Sequence, residues 1–136
     1  MPKMKEFTVT IADEPGALGA CFVALAGRGI NILAFQSYVE EGESLARLLV
    51  DDPPSARVVL GGLGMIFEVT EVAVVHLANH TGELARAATV LGEGKINIDY
   101  SYCGIEPGST QMLAAFGVDN TAQAVTLLDQ FSNQPA

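Results

Sequence analysis

Residues 13–32, DEPGALGACFVALAGRGINI, decide the fold, because the chain carries their pattern twice. Asp13-Glu14-Pro15-Gly16-Ala17-Leu18 is matched by Asn79-His80-Thr81-Gly82-Glu83-Leu84, and Gly29-Ile30-Asn31-Ile32 by Lys95-Ile96-Asn97-Ile98. Both matches stand 66 residues apart with no gap. Further on, Val50-Asp51-Asp52 matches Val118-Asp119-Asn120 at 68 residues, a small lengthening that a hairpin loop accommodates. Self-similarity at a fixed period is the mark of one supersecondary unit used more than once.

Outward from that stretch the two copies run through the same patterns. Phe7, Val9 and Ile11 alternate with Glu6, Thr8 and Thr10, as a half-buried strand does. Leu18, Cys21, Phe22 and Leu25 recur at i, i+3, i+4, i+7 and mark one face of a helix, which Gly27 and Gly29 end. Strand-like residues follow from Ile30 to about Val39. Then come a polar turn at Glu40-Glu41-Gly42-Glu43 and a further strand over Ser44–Val50. A second helix carries Ala56, Val59, Leu60 and Leu63, and Ile66–Thr70 reads as a fourth strand. In the later copy Ala73, Val75 and Leu77 line a strand, and Leu84, Ala87, Ala88 and Leu91 a helix. Residues 96–104 and 111–118 pair across Glu106-Pro107-Gly108, and Ala124, Leu127, Leu128 and Phe131 line the last helix. No fourth strand is evident after it, since Ser132–Ala136 is polar. The expected fold is α+β, with two tandem βαββαβ repeats over residues 1–71 and 72–136. Each is a split βαβ, ferredoxin-like sandwich with helices on one face of an antiparallel sheet. Residues 66–77 read as nearly continuous strand, so no linker separates the repeats.

Composition narrows the function. The chain has 136 residues, 49% of them hydrophobic, and a formal net charge of −9. Such an acidic chain offers no electrostatic footprint for nucleic acid or an anionic membrane. No apolar run approaches the ~20 residues of a spanning helix, and MPKMKEFTV has no apolar export core. Cys21 and Cys103 lack CxxC spacing and are expected as buried free thiols in a reducing cytoplasm. His76 and His80 lie four apart without further ligands, too few for a metal site.

The loop carries a resemblance. DEPGALGACFVALAGRGINI resembles the ACT domain, the regulatory amino-acid-binding module of aspartate kinases, phosphoglycerate dehydrogenases and related proteins. The matching positions are Asp13, Pro15, Gly16, Leu18, Gly29 and Asn31, and in the second copy Asn79, Gly82, Leu84 and Asn97. The second copy departs at Thr81, where Pro is expected, and at Lys95, where Gly is expected. The resemblance covers almost the whole chain and implies a stand-alone tandem ACT protein. In that family a ligand sits between two ACT units, with the loop from one and the second strand from the other.

These residue types suit an amino acid. Gly16 and Gly82 allow close backbone approach, and the helix start after each presents unpaired N–H groups with a partial positive charge. Amides of Ala17 and Leu18, or of Glu83 and Leu84, can hold a carboxylate there. Asp13 or Asn79 can accept from an ammonium, and Asn31 and Asn97 offer a donor and an acceptor. Ile32 and Ile98 flank them, and Pro15 and His80 complete the two loops. The competing reading is structural: Asp13 and Asn79 as turn residues, Gly16 and Gly82 as turn formers. With two carboxylates and a proline, the first loop is expected to bind more tightly and to select amines. The second is expected to favour a carboxylate.

No nucleophile with a base, metal cluster or paired carboxylates is evident, so no enzyme activity, cofactor or metal is expected. The leading expectation is a regulatory, allosteric sensor of a free amino acid, cytoplasmic and homodimeric, the dimer argued partly from the unfinished second sheet. The alternative is a ligand-free regulatory subunit that docks on an enzyme of amino-acid metabolism.

Overall fold

The structure is a computed structural model that describes residues 2–132. It is a mixed α/β fold of six strands and four helices among those residues, and it forms two compact units. Residues 5–70 make the first; residues 2–4 join the described residues from 71 onward in the second.

In the first unit the alternating N-terminal pattern is strand β1 (Lys3–Ile11). Helix α1 (Ala17–Ala26), strands β2 (Ile32–Glu40) and β3 (Glu43–Val50), helix α2 (Pro53–Gly62) and the start of β4 (Phe67–Leu77) follow. β3 lies between β1 and β2 and is antiparallel to both, with Phe7 opposite Leu48, Ile11 opposite Ser44 and Val39 opposite Ser44. The Thr10 N–H donates to the Ile66 carbonyl at 2.9 Å and sets the chain entering β4 beside β1. Phe7, Val9, Ile11, Leu48, Cys21, Leu25, Ala56 and Leu60 form the core, which is the expected set of inward faces. Leu63 is the exception: it is the C-terminal cap of α2 and is exposed.

The second unit repeats the order. It holds the remainder of β4, helix α3 (Glu83–Glu93), strands β5 (Ile98–Gly104) and β6 (Met112–Val118), and helix α4 (Thr121–Ser132). β6 pairs antiparallel with β4 (Ala73 opposite Phe116) and with β5 (Gly104 opposite Leu113). The residues read as a fourth strand of the first repeat and a first strand of the second form the single strand β4. The missing strand of the second repeat is supplied by the other end of the chain. Val74 donates its N–H to the Pro2 carbonyl at 3.0 Å, and Lys3 Nζ lies 3.5 Å from Glu71 Oε2. The edge beside β4 is therefore occupied, which removes the open edge as an argument for a dimer. Of the polar tail, residues 133–136 lie outside the described residues.

Three details depart from the expected faces. Leu84 and Ala88 are exposed, and α3 instead buries Glu83, Ala87 and Leu91. The Glu83 carboxylate is satisfied by Arg86, 2.7 Å away, and Arg86 in turn covers the Phe131 ring at 4.7 Å. The strand faces turned away from the helices are not solvated either: Leu49, Val72, Val74, Leu113 and Ala115 are all buried. Glu6 shares that fate at 0% exposure, with Arg47 Nη1 3.3 Å from its Oε1 and 3.4 Å from Thr8 Oγ1.

Candidate functional site

Each candidate loop is a short turn ended by a glycine in the left-handed region. Glu14 donates its N–H to the Ala12 carbonyl at 2.9 Å, and His80 to the Ala78 carbonyl at 2.9 Å. Gly16 has φ 88° and Gly82 φ 92°, angles that an L side chain rarely adopts. Helices α1 and α3 begin directly after these glycines, with no side-chain cap. The other two helices are capped. Asp52 accepts from the Ser55 N–H at 3.2 Å, and Asn120 from the Gln123 N–H at 3.1 Å. The same two helix starts are thus left open in both repeats.

The open amides are shifted slightly from those expected. Ala17 turns its N–H back to the Glu14 carbonyl at 3.3 Å, and Glu83 to the His80 carbonyl at 3.4 Å. Ala20 and Arg86 bond the carbonyls of Gly16 and Gly82, both at 3.0 Å. Between them, the amides of Leu18 and Gly19, and of Leu84 and Ala85, have no acceptor among the described residues. Two N–H groups directed past a helix start suit a carboxylate. Around them Asp13, Glu14, Pro15 and Gly16 are exposed, as are Asn79, His80 and Gly82. The second start has its own charges: His80 Nε2 lies 3.5 Å from Glu83 Oε1. Ala17 and Ala20 stand where Glu83 and Arg86 do, so the first turn of α1 carries no charged side chain and the charges there are the loop carboxylates of Asp13 and Glu14.

Asn31 and Asn97 are placed differently from the loops. Asn31 donates its backbone N–H to Asp51 Oδ1 at 2.9 Å and its side-chain amide to Oδ2 at 3.0 Å, while its carbonyl accepts from Asp51 at 3.1 Å. Asn97 repeats the backbone exchange with Asp119, at 3.1 and 3.3 Å, but donates its side chain to Asp99 Oδ1 at 2.9 Å. In both copies Asn therefore clips the start of one strand to the end of its neighbour. Sequence reasoning missed Asp51 and Asp119 as partners, although their match at 68 residues was the available signal. Ile32 and Ile98, which follow, are half-buried against the two cores.

The register separates the loops from the asparagines. Asp13 follows Ile11, which is level with Ser44 and Val39 at the far end of β2. Asn31 precedes the near end of β2, so the length of that strand, roughly 25 Å at about 3.3 Å per residue, lies between them. Asn79 lies with Cys103 and Gly104 at the far end of β5, and Asn97 precedes its near end, roughly 20 Å away. Neither pair can grip one small ligand within its own unit. Cys103, expected to be buried, is exposed; Cys21 is buried in the core. Among the described residues no cluster of three or more His, Cys, Asp or Glu could hold a metal, and no helix is long and apolar enough to cross a membrane.

No family model matches this chain, and no curated protein matches it. Its fold is similar to those of solved structures. Protein BT0572 from Bacteroides thetaiotaomicron superposes with a TM-score of 0.82 at 20% identity, over 96% of this chain and 89% of that one. The ligand-free regulatory subunit of aspartate kinase from Thermus thermophilus gives a TM-score of 0.59 at 18% identity, over 95% of this chain and 91% of that one. The fold is thus one that the regulatory subunits of aspartate kinases also adopt.

Proposed function

We propose that the chain is a non-catalytic regulatory protein of the cytoplasm, two tandem ACT-type, ferredoxin-like repeats (residues 1–71 and 72–136) that bind a free amino acid. The observation that carries this reading is the doubled, uncapped helix start behind Gly16 and Gly82. A helix start buried or left without a cap usually finds a partner elsewhere, and here it occurs twice at one sequence offset. The Leu18 and Gly19 amides would take the carboxylate, and Asp13 the ammonium. Leu84, Ala85 and Asn79 would do so in the second copy. Because each loop lies a strand's length from the asparagine of its own unit, a complete site takes its loop from one copy of the chain and Asn31 or Asn97 from a second copy. That requirement supports a homodimer. Likeness to a regulatory subunit of aspartate kinase agrees with a regulatory role.

The second reading, a subunit that docks on an enzyme of amino-acid metabolism without a ligand, is favoured at one place. The buried Glu83 and its partner Arg86 give the second helix start its own anion, so the second loop need not bind one. Calorimetric titration of the full chain with each of the twenty amino acids separates the two. Saturable heat with at least one supports the sensor; none with any supports the docking subunit.

A further inference from the structure

The two hairpins differ at their tips. β2 and β3 pair out to Glu40 opposite Glu43, so Glu41 and Gly42 alone make the turn, with φ 50° and 80°. β5 stops at Gly104 and β6 begins at Met112, which leaves residues 105–111 as loop. Pro107 has no N–H for a ladder and Gly108 takes φ 79°, so pairing ends early. The loop is nonetheless held. Ser109 donates its N–H to the Glu106 carbonyl at 3.1 Å, and Gln111 its N–H to Ser109 Oγ at 3.0 Å. His76 Nε2 lies 2.6 Å from Glu106 Oε1 and ties the loop to β4.

The early end of the ladder opens a cleft of about 270 Å3 between this loop and the turn before α3. Asn79, Cys103, Ile105, Thr110, Gln111 and Met112 line it. None of its lining side chains is charged. Two carboxamides and a hydroxyl supply donors and acceptors, while Ile105, Met112 and Cys103 make an apolar and polarizable wall. Although Cys103 is exposed, partial desolvation by the cleft wall pushes its thiol up, so at neutral pH it stays an uncharged thiol. At about 30 Å3 per water the cleft holds roughly nine, the scale of a small metabolite.

We propose that this cleft is a binding site for a small molecule with an uncharged side chain, an amino acid bearing a hydroxyl, amide, thioether or aliphatic group. For the class of ligand the inference rests on the amino-acid reading above; the place of binding does not depend on the uncapped helix starts. Asn79 serves the cleft from its rim, and the lengthened hairpin of the second repeat exists to form it. The tight Glu40-Glu41-Gly42-Glu43 turn puts three carboxylates at the corresponding place in the first repeat, so selection of uncharged ligands belongs to the second.

Iodoacetamide, a neutral alkylating agent, tests this on the full chain, with modification of Cys103 read by mass spectrometry and buried Cys21 as the internal control. L-Threonine, L-glutamine, L-methionine and L-leucine are compared with L-lysine and L-glutamate. Protection scales as 1 + [L]/Kd, so a Kd of about 1 mM gives roughly tenfold slowing at about 10 mM. The proposal expects at least one uncharged amino acid to slow Cys103 alkylation to that extent and the charged pair to leave it unchanged. It also expects Thr110→Phe, an exposed loop position, to abolish the protection. Calorimetric binding of an uncharged amino acid without protection of Cys103 overturns the cleft and leaves the amino-acid reading intact. Neither heat nor protection overturns both. Protection that survives Thr110→Phe, or that the charged pair matches, also overturns the cleft.

Discussion

Val74 on the strand shared by both repeats donates its N–H to the carbonyl of Pro2, at 3.0 Å, so the beginning of the chain completes the sheet of its second half. Removing residues 1–4 leaves that amide without its acceptor and re-opens an edge beside β4. A net contribution of about 1 kcal/mol per lost hydrogen bond sets the scale. The truncated chain is expected to lose about 1–2 kcal/mol in denaturant unfolding, with amide exchange at Val74 accelerated more than at Leu113 in the core. Unchanged exchange at Val74 would show that the N-terminal pairing contributes nothing.

Lys95 stands at φ 63°, where its counterpart Gly29 stands at φ 73°. Both end a helix in the same way, with the next residue's N–H returning to Leu25 at 3.1 Å or Leu91 at 3.0 Å. The left-handed region costs a non-glycine residue about 1–2 kcal/mol, and the added freedom of glycine in the unfolded chain returns part of that. Lys95→Gly is therefore expected to stabilise the protein by about 0.5–1 kcal/mol, and Gly29→Ala to destabilise it by about 1 kcal/mol. Opposite signs in paired thermal melts check this.

The helix phases and the repeat were legible because apolar periodicity and recurring loops are written in residue types. The pairing of Pro2 with Val74 was not, since it uses only backbone groups that every non-proline residue carries. Glu6 reads as an outward residue by alternation, yet it is buried, because the pattern cannot tell whether the second face of a sheet is covered. On α3 the i, i+3, i+4 pattern selected Leu84 over Glu83, adjacent positions only 100° apart, and Arg86 made the burial of Glu83 tolerable. The asparagines were found but not their partners, because Asp51 and Asp119 lie 20 and 22 residues away in sequence.

Glu6 and Arg47 allow a separate test of the buried polar face. Arg47→Met removes the cation 3.3 Å from the fully buried Glu6 carboxylate, and breaking one side of such a pair costs about 3–5 kcal/mol. Glu6→Gln in the same chain removes the buried charge as well. Denaturant unfolding of the double variant is expected to recover at least half of the loss. Equal losses in the single and double variants would show that the charge pair is not what matters at this position.

The central claim is that the two glycine loops bind the amino acid. At Gly16 and Gly82 an added Cβ meets nothing within 4 Å, so valine there changes the loop through its φ, 88° and 92°, and not through a clash. The direct measurement is calorimetric titration of wild type, Gly16→Val, Gly82→Val and the double variant with the amino acid that wild type binds. Each single variant is expected to lose one class of site, the tighter class with Gly16→Val because Asp13 and Glu14 attract the ammonium there, and the double variant to lose both classes and keep only the binding that Thr110→Phe removes. Undiminished heat and affinity in the double variant would contradict the account.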